Sequence, residues 1–68
     1  MQDYQSRVIK ERDELQEKID SLSKFIDEGG LFLDLPVEDR FLLCKQRDEM
    51  NCYLETLEYR IMRLQVVH

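Results

Sequence analysis

Arg40 is the residue whose type and position point most directly to chemistry in this chain. It lies in the first turn of a predicted helix that starts near Pro36, where the helix dipole makes a cation mildly unfavourable. The N–H groups of such a turn have no intrahelical partner, and a nearby guanidinium adds bidentate donors, so together they suit a phosphate. The alternative is an ion pair of Arg40 with Glu28, with Asp34 or with an acid from another chain.

Three further side chains complete the candidate ligand-binding set. Arg47 lies two turns beyond Arg40 on roughly the same helix face, although a solvated run of charges would also explain it. Phe32 could stack on a base, an interaction worth ~1–3 kcal/mol, or pack in the core or an interface, and the same holds for Tyr53. The predicted ligand-binding residues are therefore Arg40, Arg47, Phe32 and Asp34.

The composition excludes several classes of function. No Gly-rich phosphate loop, nucleophile elbow or cluster of metal ligands occurs in the sequence, so we expect no catalytic residue, no metal and no cofactor. The net charge of −5 argues against binding to duplex nucleic acid, which requires a basic face. The N-terminus is too polar for a signal peptide and no apolar run approaches ~18 residues, so a cytoplasmic protein without a membrane span is predicted.

The cysteines indicate packing and not chemistry. Cys44 and Cys52 are eight residues apart on one predicted helix, ~12 Å along its axis. This separation is too large for a disulfide between them. His68 is the only histidine and lies at the C-terminus, so a zinc site would need ligands from several chains.

The elements that position these residues are predicted to form an antiparallel helical hairpin. We expect a first helix over about 3–27, a turn over 28–35 and a second helix over about 36–65, so that 1–68 is a single all-α domain. Gly29 and Gly30 end the first helix, where we expect the left-handed cap conformation that glycine adopts without penalty. Apolar residues recur at heptad spacing on both helices: Val8, Leu15, Ile19, Leu22 and Ile26 on the first, and Leu43, Met50, Leu54, Leu57, Ile61 and Leu64 on the second.

One polar residue interrupts this seam. Arg12 occupies a heptad position of the first helix. It either extends its guanidinium past its neighbours to solvent or pairs with an acid from a partner chain.

A second apolar surface predicts that the chain self-associates. Val37, Phe41, Cys44, Tyr53 and Tyr59 cannot all share the seam of the second helix, and on a monomer they would form an exposed patch of the kind that marks an interface. Two helices of this length also bury little surface by themselves, with no disulfide framework or metal to compensate. We therefore expect a homo-oligomer.

The spacing over residues 22–61 is more specific than amphipathic helices require. It resembles the phage helical-hairpin signal sponges at positions in both helices and the turn: Phe25, Ile26, Phe32, Leu35, Asp39, Arg40, Leu42, Leu43, Gln46, Met50, Tyr53, Leu57, Arg60 and Ile61. Those phage proteins counter the bacterial CBASS and Thoeris defences by sequestering cyclic nucleotide messengers. The resemblance implies a homo-oligomer, with a hexamer as its size, whose pockets lie between protomers and whose basic residues hold phosphates. It assigns that role to Arg40.

The function predicted from this resemblance is a phage anti-defence protein that sequesters a cyclic di- or trinucleotide in the host cytoplasm without cleaving it. The alternative is a structural or adaptor hairpin with no small ligand, which docks a partner helix through Phe41 and Tyr53. The Arg40→Ala substitution distinguishes the two, because only the sponge would lose its binding.

Overall fold

Two long helices packed against each other form the protein, as the heptad spacing predicts. The computed structural model describes residues 3–66. Helix α1 spans Asp3–Glu28, the short helix α2 spans Gly30–Asp34 and helix α3 spans Val37–Val66. The long helices begin and end within about a residue of the predicted bounds, and the molecule measures 51 × 15 × 14 Å. The all-α hairpin is thus confirmed, while its assembly into an oligomer stays a prediction.

The core lies between α1 and α3 and is built from the predicted heptad positions. Six apolar side chains are buried and in mutual contact, with Met50 packed against them: Val8, Leu15, Ile19, Leu54, Leu57 and Ile61. Leu57 is fully enclosed, with 0% of its surface exposed. The heptad residues nearer the turn, among them Leu22, Ile26 and Leu43, are only half-buried. Apolar packing is therefore tightest in the half of the hairpin that lies away from the turn.

The turn contains a helix that the sequence did not predict. Its five residues form α2, which follows Gly29 in an extended conformation (φ −91°, ψ 122°) and is followed by Leu35, also extended. Phe32 is buried and its ring meets Phe25 edge to face, with the ring centroids 6.2 Å apart. A five-residue segment is too short to show helical periodicity in its sequence. The helical turn is favoured because it places the apolar side chain of Phe32 in the interior, away from water.

The predicted left-handed cap at the two glycines is wrong. No glycine among the described residues has a positive φ. Gly29 is instead required by a close approach, because a Cβ atom there would lie 2.7 Å from the carbonyl oxygen of Phe25. The N–H of Gly29 donates to that same oxygen over 3.2 Å. Gly30 has no atom within 4 Å of such a Cβ, so the turn needs only one of its two glycines.

Arg12 finds its partner within its own chain. Its Nε lies 2.7 Å from Oδ1 of Asp13, and 31% of its side-chain surface remains exposed. The guanidinium thus reaches the edge of the seam and pairs with an adjacent carboxylate there. This geometry matches the first of the two predicted roles, in which the charged end extends to solvent.

Candidate functional site

Arg40 is held at the start of α3 by the backbone of the turn. Its Nε donates a hydrogen bond to the carbonyl oxygen of Leu35 over 3.1 Å, and the side chain is half-buried. Among residues 3–66, no carboxylate lies within 4.0 Å of its guanidinium, so the alternative ion pairs with Glu28 and Asp34 are not formed within the chain. A guanidinium carries five N–H donors. The contact with Leu35 uses one of them and leaves the Nη groups to meet an anion.

Arg47 bridges the two long helices close to the turn. Its Nη1 lies 3.5 Å from Oδ1 of Asp27 near the end of α1, and 26% of its side-chain surface is exposed. It is therefore not part of a solvated run of charges. Arg40 and Arg47 lie seven residues apart on the half-buried side of α3, ~10 Å along the helix axis. The two cations thus form a pair near the turn, on the edge of the helix–helix seam.

The other two predicted ligand-binding residues differ in how accessible they are. Asp34 is exposed at the end of α2. Phe32 is only 9% exposed, so in a single chain its ring packs against Phe25 and its faces are not open to a base. Tyr53, on the same side of α3 as Gln46, is 44% exposed. Of the aromatic rings considered for stacking, Tyr53 is therefore the accessible one.

A third arginine contact was not anticipated from the sequence. Arg60 donates from Nη2 to the hydroxyl oxygen of Tyr4 over 2.7 Å, and its guanidinium carbon lies 5.7 Å from the centre of the Tyr4 ring. The hydrogen bond to Tyr4 raises the pKa of Arg60 above its ordinary value. The antiparallel register places these two residues level with each other at the open end of the hairpin. That register was the signal that could have identified the pair.

Half-buried arginines recur along the whole length of the hairpin. Arg12, Arg40, Arg47 and Arg60 are all half-buried, whereas Arg7 and Arg63 are exposed. The turn between residues 27 and 40 is otherwise acidic, since it carries five carboxylates and a single arginine. Arg40 and Arg47 are thus surrounded by carboxylates, of which Asp27 already pairs with Arg47.

The concave surfaces of a single chain are open grooves. The groove between α1 and α3 is lined by Glu17, Lys18, Ser21, Leu22, Gln46 and Met50. Gln46 points along it, with its Nε2 3.9 Å from the sulfur of Met50. Smaller depressions on α3 lie beside Tyr59 and Cys52. A groove of this kind can contact one side of a ligand, so enclosure of a nucleotide would require a second chain.

The remaining chemistry of the described residues is limited. Both thiols are free, with Cys44 half-buried and Cys52 exposed. Within residues 3–66 no three His, Cys, Asp or Glu side chains cluster as metal ligands, and His68 lies outside the described residues. No helix in that range is long and apolar enough to cross a membrane.

Comparison with known proteins identifies the family. The family model described as Sequestin matches residues 2–63, which include α1, α2 and nearly all of α3. The chain belongs to the Sequestin family. This Sequestin chain is also similar to an uncharacterized 7.5 kDa protein from the denB-rIIB intergenic region of Enterobacteria phage T4, with 45% identity over 58 residues that cover 85% of this chain and 89% of the T4 protein. No solved structure matches it significantly.

Proposed function

We propose that this protein is a phage anti-defence protein that sequesters a cyclic di- or trinucleotide immune signal in the host cytoplasm and does not cleave it. The observation that carries the proposal is membership of the Sequestin family, whose name is that of a sequestering protein. Similarity to a phage T4 protein supports a phage setting. The resemblance to helical-hairpin signal sponges supplies the ligand class.

In this proposal, Arg40 and Arg47 hold the phosphates of the messenger. The contact of Arg40 Nε with Leu35 orients the guanidinium before the ligand arrives, which lowers the entropy lost on binding. Arg47 is paired with Asp27, whose side chain is 65% exposed. A phosphate would displace that carboxylate, exchanging a partly solvated ion pair for bidentate hydrogen bonds.

The pockets of the proposed sponge lie between copies of the chain. A groove open on one side, such as that between α1 and α3, becomes enclosed when a second hairpin covers it. Exposed aromatic rings, including Tyr53, would then supply walls on which bases can stack. A homo-oligomer is thus part of the proposal, with a hexamer as the size implied by the resemblance.

Sequestration works by mass action in this proposal. A sponge that is more abundant than the messenger, and that binds it more tightly than the effector does, keeps the effector unliganded. Nanomolar affinity corresponds to ~12 kcal/mol of binding free energy. No chemical step is required of the protein, and the messenger is recovered intact when the protein is denatured.

Native mass spectrometry with a panel of cyclic di- and trinucleotides tests the proposal, because it reports the assembly and its bound ligand together. We expect a defined number of nucleotides per oligomer, and intact nucleotide by chromatography after denaturation. Linear dinucleotides of the same bases are the matched control and should bind much more weakly. Absence of binding to every panel member at micromolar concentration, by a folded protein, would refute the sponge.

A second candidate function is an adaptor hairpin that binds a partner helix. It is favoured by the exposure of Phe41 and Tyr53, of which 64% and 44% of the surface is accessible. An adaptor would bind its partner equally well after Arg40→Ala, whereas a sponge would lose its nucleotide. Pull-down of a partner by both the parent protein and this variant, with no nucleotide bound by either, would support the adaptor.

A further inference from the structure

A stripe of exposed side chains, apolar except for Asp48, runs along the outer side of α3. This outer stripe consists of Val37, Phe41, Asp48, Cys52, Tyr59 and Met62. Its four large apolar members are between 53% and 64% exposed, and Cys52 is exposed as well. At 3.6 residues per turn these six positions fall within about a quarter of the helix circumference. Their centre lies roughly two-fifths of a turn away from the face of Leu54, Leu57 and Ile61 that is buried against α1. The hairpin itself therefore cannot cover them.

The large apolar members of the outer stripe are arranged similarly when it is read from either end. Phe41 and Tyr59 both lie nine residues from position 50, on opposite sides of it, and Val37 and Met62 lie thirteen and twelve residues away. Two such helices laid side by side in opposite directions would place Phe41 of one copy beside Tyr59 of the other. A two-fold contact has this self-complementary character. From this symmetry we infer that two copies of the chain pair antiparallel along the outer stripe, with the two-fold axis level with Met50.

The charges at the two ends of α3 favour the antiparallel direction. Glu38 and Asp39 lie in its first turn and Arg63 lies in its last turn. In the antiparallel pair each acidic first turn lies beside the basic last turn of the other copy, and Lys45 lies level with Glu55, since each is five residues from position 50. A parallel pair would bring like charges together at both ends. Opposed helix dipoles add to the same preference.

This pairing rests on the self-association contained in the proposed function and names its surface, but its test needs no ligand. Two proteins are made, and both carry Cys44→Ser and Cys52→Ser to remove the native thiols. One protein then receives a single new thiol by Lys45→Cys and the other by Glu55→Cys, and one of the two carries a mass tag. A short bis-maleimide is then added to each protein alone and to the mixture. We expect the cross-linked product of one Lys45→Cys chain and one Glu55→Cys chain to dominate, because these two thiols lie level across the pair. Two Lys45→Cys thiols, or two Glu55→Cys thiols, lie ~15 Å apart along the helix axis.

Sedimentation equilibrium of Phe41→Glu provides the second measurement. Phe41 is exposed in the hairpin, so the variant should keep its helical circular dichroism while its pairing weakens by roughly a hundredfold or more, since two copies of the ring leave the interface. Lys10→Glu, on the solvent side of α1 with 75% of its side-chain surface exposed, is the control and should leave association unchanged. A parent protein that is an 8.3 kDa monomer at micromolar concentration would overturn the inference. An oligomer whose Lys45→Cys chains link mainly to themselves would overturn the antiparallel stripe while leaving self-association intact.

Discussion

The most decisive test of the nucleotide site is replacement of Arg40 by alanine. In the folded chain its Nε is occupied by the carbonyl of Leu35, so the Nη groups are the donors that would meet a phosphate. Loss of one charged hydrogen bond costs ~1.5–3 kcal/mol, or roughly ten- to a hundredfold in affinity. We therefore expect Arg40→Ala to weaken binding of a cyclic nucleotide by at least that factor.

The substitution also removes a contact that belongs to the fold. The bond from Arg40 to Leu35 is partly solvated, so its loss should lower the free energy of unfolding by about 1 kcal/mol. Urea denaturation of the variant measures this effect separately from binding. Helicity and assembly should survive, because the side chain lies at the edge of the seam and not among the buried core residues.

Isothermal titration calorimetry on the folded variant decides between the two roles of Arg40. Arg7→Ala is the matched control, since it removes the same charge from an exposed position on α1 and should leave affinity unchanged. Arg40→Lys should recover only part of the binding, because lysine keeps the charge but lacks the bidentate fork. Unchanged affinity in Arg40→Ala would show that this arginine only supports the turn, and the phosphate role would be withdrawn.

Three further predictions concern stability. Leu57→Ala removes the side chain that is fully enclosed among the residues whose burial is described, and it should lower the free energy of unfolding by about 2–5 kcal/mol in urea denaturation. Gly30→Ala should raise the free energy of unfolding by ~0.4–1 kcal/mol, whereas Gly29→Ala should lower it, because its Cβ meets a backbone oxygen at 2.7 Å. The hydrogen bond with Glu49 raises the pKa of Lys45. The bond therefore contributes to the free energy of unfolding below about pH 10.5, and this contribution is lost at higher pH. Glu49→Gln should lower the pKa of Lys45 in an NMR titration.

The sequence was sufficient to predict the two long helices and their contact. Heptad spacing identifies the face of each helix that must be covered, and a chain with two such helices and a short turn has one way to cover both. Val8, Leu15 and Leu57 accordingly lie in the core. The sequence also predicted a relation to phage proteins, and the chain, which belongs to the Sequestin family, is similar to a phage T4 protein.

The details that escaped prediction are those set by tertiary geometry. Helix α2 is too short for its sequence to show a helical period of apolar residues. Its direction depends on the contact that Phe32 makes with Phe25. The conformation of Gly29 is decided by the backbone of the preceding turn and not by the general preference of glycine. Long side chains such as those of Arg47 and Arg60 find their partners only once the register of the two helices is fixed. Composition alone carries none of this information.

The contact between Tyr4 and Arg60 has a consequence for how the chain folds. These residues are 56 positions apart in sequence, whereas Asp27 and Arg47 meet close to the turn. Closing a loop costs more entropy as the loop grows, so contacts should form first beside the turn and spread outward like a zipper. Tyr4 and Arg60 would then be the last pair to form. Amide hydrogens in the turn of α1 that carries Tyr4, which lies beyond the buried Val8, should exchange with solvent sooner than those around Leu57.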